Sequence, residues 1–169
     1  MDTRDLLVDH FGRIRELYVD LPEGLDVETA HHRPVGTGNS IAWLLWHTAR
    51  VQDDHVAGLT GGEQAWHDGW ADRFDLPFDR QDIGFGHSSD DVDAVRIDRL
   101  QDLVDYHEEV HRLTLEYLDR VDPDELDRIV DRRWDPPVTA GVRLVSLLGD
   151  CVQHLGQAAY IKGLPRSGD

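Results

Sequence analysis

From Thr3 to Leu21 the apolar positions Leu7, Phe11, Ile14, Tyr18 and Leu21 recur at alternating intervals of four and three. That spacing gathers one face of an α-helix, which Pro22 and Gly24 end. After the breaker-rich run Arg33-Pro-Val-Gly-Thr-Gly-Asn, either Asn39 or Ser40 can cap a second helix. Its face carries Ile41, Leu44, Leu45, Thr48, Gln52, His55 and Leu59, and Gly61 and Gly62 close it. A third stripe runs through Leu100, Val104, His107, His111, Thr114, Leu118 and Val121 and stops at Asp122-Pro123. The fourth occupies residues 141–162 with Leu144, Leu147, Leu148, Cys151, Leu155, Ala158 and Ile161, and Gly163 and Pro165 end it.

The segments between these stripes have no sustained period. Residues 60–90 hold Trp66, Trp70, Phe74, Phe78 and Phe85 among Gly, Asp and Pro77, which predicts a long crossover packed down by its aromatics. Ser89 with Asp90 and Asp91 starts a short helix, and His31 and His32 fall in a loop. Residues 131–139, DRRWDPPVT, cannot form a regular helix, because Pro136 and Pro137 lack donors and bias their predecessors to extended backbone. Four long helices joined by two short links and one crossover, between helices two and three, predict an all-α four-helix bundle. A chain of 169 residues fits one domain spanning positions 1–169.

Charge narrows the partners. With 34 Asp and Glu against 17 Lys and Arg, the net charge is -17 with neutral histidines, and no basic patch offsets it. Phosphate backbones and anionic lipid surfaces are repelled, so nucleic acid and membrane are not expected partners. No apolar run approaches the roughly 18 residues of a membrane span. Lys162 is the one lysine, a skew that reflects genome composition or a high-salt habitat more than function. Cys151 is the one cysteine, so no internal disulfide forms, and the start MDTRDLLVDHFGRIREL lacks the regions of a signal peptide. A cytoplasmic location is expected.

Two constellations carry chemistry. On the fourth helix Asp150 and His154 lie four apart, share a face and can converge on one ion, with Gln157 continuing the stripe. His47, among Trp43, Leu44 and Val51 on the second helix, supplies a third candidate ligand. Two histidines and one carboxylate leave a coordination position open, as in catalytic sites. The same spacing also makes an ordinary intrahelical Asp–His hydrogen bond, and a lone His47 also suits a packed core. The second constellation, His107-Glu108-Glu109-Val110-His111, matches the H-E-x-x-H of zinc peptidases but lacks a third ligand downstream. Its alternative is two core histidines bonded to neighbouring helices. Asp54 and His55 could orient a ligand from beside His47 or simply end the helix, and His87 could reach a substrate from the crossover or serve as a turn residue. Cys151 lies about 100° round the helix from Asp150 and reads as core. No P-loop, G-x-G-x-x-G, G-x-S-x-G or C-x-x-C occurs, which removes the commonest nucleotide, serine-hydrolase and dithiol functions.

The blocks GNSIAWLLWHTARVQDDHVAGL, DPPVTAGVRL and especially DCVQHLGQAAYIKGL resemble the DinB-like superfamily, in the actinobacterial branch that includes metal-binding domains of mycothiol-dependent enzymes. The resemblance runs from the first helix to Gly163 and implies a four-helix bundle holding a divalent metal. The ligands it implies fall on His47, Asp150 and His154, and it places the metal away from the HEEVH segment. The sequence departs at Asp150, where many relatives have His and the mycothiol-dependent maleylpyruvate isomerase has Glu, so the shorter Asp reaches less far.

The resemblance further implies that zinc, or else nickel or iron, accepts the thiol of a mycothiol-type cofactor in its open position. The coordinated thiol then ionises and attacks an electrophilic small molecule. The chain is shorter than the two-domain isomerase, so general thiol S-transfer is expected in preference to isomerisation. Trp66, Trp70 and His87 are expected to wall the pocket, and a homodimer follows from the habit of the relatives. The other readings are a metal-binding stress or sensing protein without turnover, and a metallopeptidase built on His107 and His111.

Overall fold

Most of the helices begin where a side chain replaces a missing backbone hydrogen bond. In the computed structural model, which describes residues 1–164, α1 (Thr3–Asp20) starts with a reciprocal capping box between Asp2 and Asp5. The short α2 (Val27–His31) is capped by Asp26. Ser40, not Asn39, caps α3 (Ile41–Thr60) by accepting the Trp43 N–H at 3.1 Å, and Gly61 ends it in left-handed backbone. The crossover then folds a 3-10 turn at Ala65–His67, α4 (Trp70–Phe74) and α5 (Ser89–Ala94), the last capped by Ser88. α6 (Leu100–Leu118) follows, then α7 (Pro123–Asp127). The two-stranded antiparallel pair β1 (Ile129–Asp131) and β2 (Val138–Thr139) leads into α8 (Ala140–Lys162). Pro165, expected to help end this helix, lies outside the described residues.

The four long helices match the expected bundle within a residue or two at most ends. α2, α7 and the β pair were not expected, because elements of two to five residues are too short to carry a period. His31 therefore sits in a helix and not in a loop: its Nδ1–H donates to the Val27 carbonyl at 2.7 Å and its Nε2 accepts the Ile97 N–H at 2.9 Å.

Side-chain ties fix the directions of the helices. α1 runs antiparallel to α6, with Arg4 paired to Asp119 and Arg15 to Glu108 at 2.6 Å. α1 and α8 are parallel, because Lys162 Nζ donates to the Asp20 and Glu23 carbonyls at 3.1 and 2.8 Å. α3 packs against both α6 and α8. It runs parallel to α6, so residues 61–99 must return the chain along the length of the bundle, the reason for so long a crossover.

That crossover changes what α3 must be. Residues 41–53 of α3 are all buried, on every side of the helix, since α6, α8 and the crossover enclose it. The crossover's aromatics are packed down as expected: Trp66, Trp70 and Phe74 lie with ring centroids 5.5–5.9 Å from Tyr106 of α6. Among the described residues no helix is long and apolar enough to cross a membrane.

Candidate metal centre

α3 and α8 lie antiparallel, so His47 meets Asp150 and His154 near the middle of their contact. One ligand atom from each of the three lies within 4.8 Å of the other two. A tetrahedral ion with bonds of about 2.1 Å needs ligand atoms about 3.4 Å apart, within reach of small side-chain rotations. Among the described residues this is the one group of three or more such side chains that could hold an ion.

The ring nitrogens are arranged for the task. His47 Nδ1 lies against the Ile83 carbonyl, which can only accept, so Nδ1 carries the proton and Nε2 keeps its lone pair. His154 Nδ1 donates to Gln157 Oε1 at 3.2 Å, and its Nε2 faces Asp150 Oδ1 at 3.5 Å. Gln157 thus fixes the orientation of the His154 ring. The Trp43 indole stacks on the His47 ring at 4.7 Å and 14° and meets His154 edge-on at 6.2 Å.

Asp150 Oδ2 is buried without a hydrogen-bond partner. An orphaned carboxylate oxygen beside two imidazoles is costly to leave alone and is what a cation would satisfy. Burial works against ionisation of Asp150, yet the hydrogen bond to His154 and the nearby His47 outweigh it and hold the carboxyl below its ordinary range. The same hydrogen bond raises His154, whereas burial lowers His47 and keeps it neutral. A charged carboxylate and a neutral imidazole at ordinary pH form a donor set that fits a divalent ion of the zinc class.

The remaining candidates part ways. His87 is held beside the site: its Nδ1 accepts from Trp43 Nε1 at 3.1 Å and its Nε2 donates to Asp82 Oδ2 at 3.1 Å. His55 donates Nδ1–H to the Val51 carbonyl at 2.8 Å and contributes a field at Asp150. Asp54 lies outside the cluster, its Oδ1 accepting from Gln64 Nε2 at 2.9 Å. His107 and His111 lie outside the cluster, on the side of α6 that faces α1. His107 stacks on Tyr18 at 3.9 Å and donates to Gln52 Oε1 at 3.2 Å. In the same HEEVH segment Glu108 pairs with Arg15, and Glu109 accepts from Trp70 Nε1 at 2.7 Å, so neither is free as a base. Trp66 and Trp70 do not wall the centre as expected; they are spent on Tyr106, and Trp43 supplies the aromatic wall. Cys151 is fully buried, and burial pushes its thiol up, so it is core.

Ile83 and Gly84 were not singled out from the sequence. A carbonyl has no side-chain signature, but the Gly84-Phe-Gly86 pair hinted at special backbone. Gly84 has φ +87°, and a Cβ there would lie 2.8 Å from His47 Nδ1 and 3.0 Å from the Trp46 ring. Only glycine lets this strand of the crossover touch His47.

The family model described as the DinB superfamily matches residues 10–158. A solved structure titled "Crystal structure of the conserved protein of locus from Enterococcus faecalis" is 31% identical, with a TM-score of 0.89 over 96% of each chain. No curated protein matches the sequence.

Proposed function

The chain belongs to the DinB superfamily, and from that membership and the convergent His47, Asp150 and His154 we propose that it is a metal-dependent thiol S-transferase. The observation that carries the metal is the buried, partnerless Asp150 Oδ2 in a cluster where His47, Asp150 and His154 each bring a ligand atom within 4.8 Å of the other two. His47 Nε2, an Asp150 oxygen and His154 Nε2 would hold zinc by preference, or nickel or iron, with one position open. When bound, the ion would take the sulfur of a mycothiol-type thiol there and hold it as thiolate for attack on an electrophile, whose leaving group departs as the S–C bond forms.

The chain's own residues do the rest. Ile83 and Gln157 fix the two imidazoles, Trp43 shields one side of the centre from water, and Asp150 holds the negative charge that attracts the ion. The likeness of the DCVQHLGQAAYIKGL block to the mycothiol-dependent, actinobacterial branch supports the choice of thiol. A second copy of the chain is the macromolecular partner we propose. The outward side of α8 exposes Val142, Val145, Val152 and Tyr160, and between Arg143 and Lys162 its one charged residue, Asp150, belongs to the metal cluster.

The test begins with metal analysis of protein purified without a polyhistidine tag. We expect about one divalent ion per chain, lost in His47→Ala and Asp150→Ala and retained in His111→Ala. Retention in His47→Ala with loss in His111→Ala would overturn the site in favour of the peptidase segment. Turnover of mycothiol with a panel of electrophiles, above the rate of chelated protein, is expected. Its absence across the panel would leave a metal-binding stress or sensing protein.

A further inference from the structure

Arg50 is fully buried and Asp53 is 2% exposed, on the side of α3 that faces the crossover, and neither belongs to the metal cluster. So much buried charge needs a reason, since an apolar pair would fill the space at lower desolvation cost. Their partners supply one. Asp53 accepts the Ala65 and Trp66 N–H groups at 2.9 and 2.8 Å and the Tyr106 hydroxyl at 2.8 Å. Arg50 donates to Gln64 Oε1 at 2.8 Å, to the Asp82 carbonyl at 3.3 Å and to the Arg80 carbonyl at 3.5 Å. The pair ties the start and the middle of the crossover, residues 64–66 and 80–82, to one turn of α3.

From Asp82 the ties continue to the candidate ligand. Its Oδ1 accepts the Gly84 N–H at 2.7 Å, which bends the chain so that the Ile83 carbonyl meets His47 Nδ1. Its Oδ2 accepts from His87 Nε2, and His87 Nδ1 accepts from Trp43 Nε1, whose ring stacks on His47. The polarity of this relay is forced. An indole N–H can only donate, so His87 must accept at Nδ1 and donate at Nε2, and an ionised carboxylate is the acceptor that suits the end of the chain.

We infer that Arg50 and Asp82 are positioning residues for the metal centre, locking the crossover so that His47 keeps its proton on Nδ1 and presents Nε2 to the ion. This rests on the metal reading above. Asp82→Asn keeps the size but places an amide donor where one oxygen accepted, so the relay meets donor against donor. Arg50→Lys keeps the charge but lacks the fork that reaches several carbonyls at once.

Zinc affinity of the untagged variants, measured by competition with a chelator, is expected to fall about 10–100-fold in each, the usual effect of removing a group that orients a ligand. Thr114→Val, which loosens α3 on its other face by removing the bond to Gln52 Nε2, should leave zinc affinity within about twofold. Nitrogen-15 spectra of the imidazoles in metal-free protein should show His47 as the Nδ1–H tautomer in the wild type and as a mixture in Asp82→Asn. Wild-type zinc affinity and an unchanged His47 tautomer in both variants would overturn the inference. Should the wild type take no zinc, the metal reading fails, and the tautomer spectrum alone decides whether Arg50 and Asp82 position His47.

Discussion

A histidine on the inner face of a helix can mean opposite things, and the surroundings of a single ring decide which. His107 and His154 each lie on a helix face that turns from solvent, yet His154 has a carboxylate at its side and His107 has a tyrosine ring and an amide. Burial, with His111 and Arg15 adding to it, pushes His107 down to about 3. In the unfolded chain a histidine titrates near 6.5, so below that pH the unfolded state takes up a proton that the folded state refuses. Above about pH 6.5 both states are neutral and His107 adds no pH dependence. As pH falls from about 6.5 towards 3, stability drops by up to about 1.4 kcal/mol per unit on account of this one ring. Chemical-denaturation midpoints measured from pH 7 to pH 4 should therefore fall more steeply in the wild type than in His107→Gln, and equal slopes would show that His107 titrates normally in the fold.

At the scale of elements, the decisive feature is how the crossover lies on α3. A Gly84→Ala substitution adds a Cβ that would meet His47 and Trp46 and places a side chain at φ +87°, whereas Gly86, at φ +79°, faces open space. The second change carries only the left-handed backbone penalty, about 1–2 kcal/mol. Gly84→Ala should lose more stability than that and also weaken metal binding, while Gly86→Ala should leave metal binding intact. Thermal melts and zinc titrations of the two variants check this, and equal behaviour would mean that the crossover does not hold His47. The four long helices were legible in the sequence because each repeats its pattern over many turns, and His47, Asp150, His154 and Gln157 were legible because they lie on those patterns. Arg50, Asp53, Asp82 and the Ile83 carbonyl were not. The first two face a crossover whose path has no period, Asp82 lies within it, and a backbone acceptor leaves no mark in a sequence. The expected walls Trp66 and Trp70 failed for the same reason: composition shows that the aromatics pack, not upon what.

Across the whole molecule, an ion bound by these side chains would join α3 to α8 and close a loop from position 47 to position 154. A ligand bound only by the folded state stabilises it by RT ln(1 + [L]/Kd), about 2.7 kcal/mol at a hundredfold excess over Kd. Zinc should thus raise the melting temperature of the untagged protein, chelator should reverse the rise, and His47→Ala should show neither effect. A melting temperature indifferent to zinc would argue that the three side chains are a hydrogen-bonded core cluster.

The separation of these ligands along the chain also has a temporal side. His47 leaves the ribosome about a hundred residues before Asp150 and His154, which lie on α8. Until α8 has emerged and docked beside α3, the growing chain can offer an ion only isolated imidazoles and carboxylates. An ion held by all three side chains would therefore load only after α8 has docked beside α3, and a chain that stalls before α8 would lack the site.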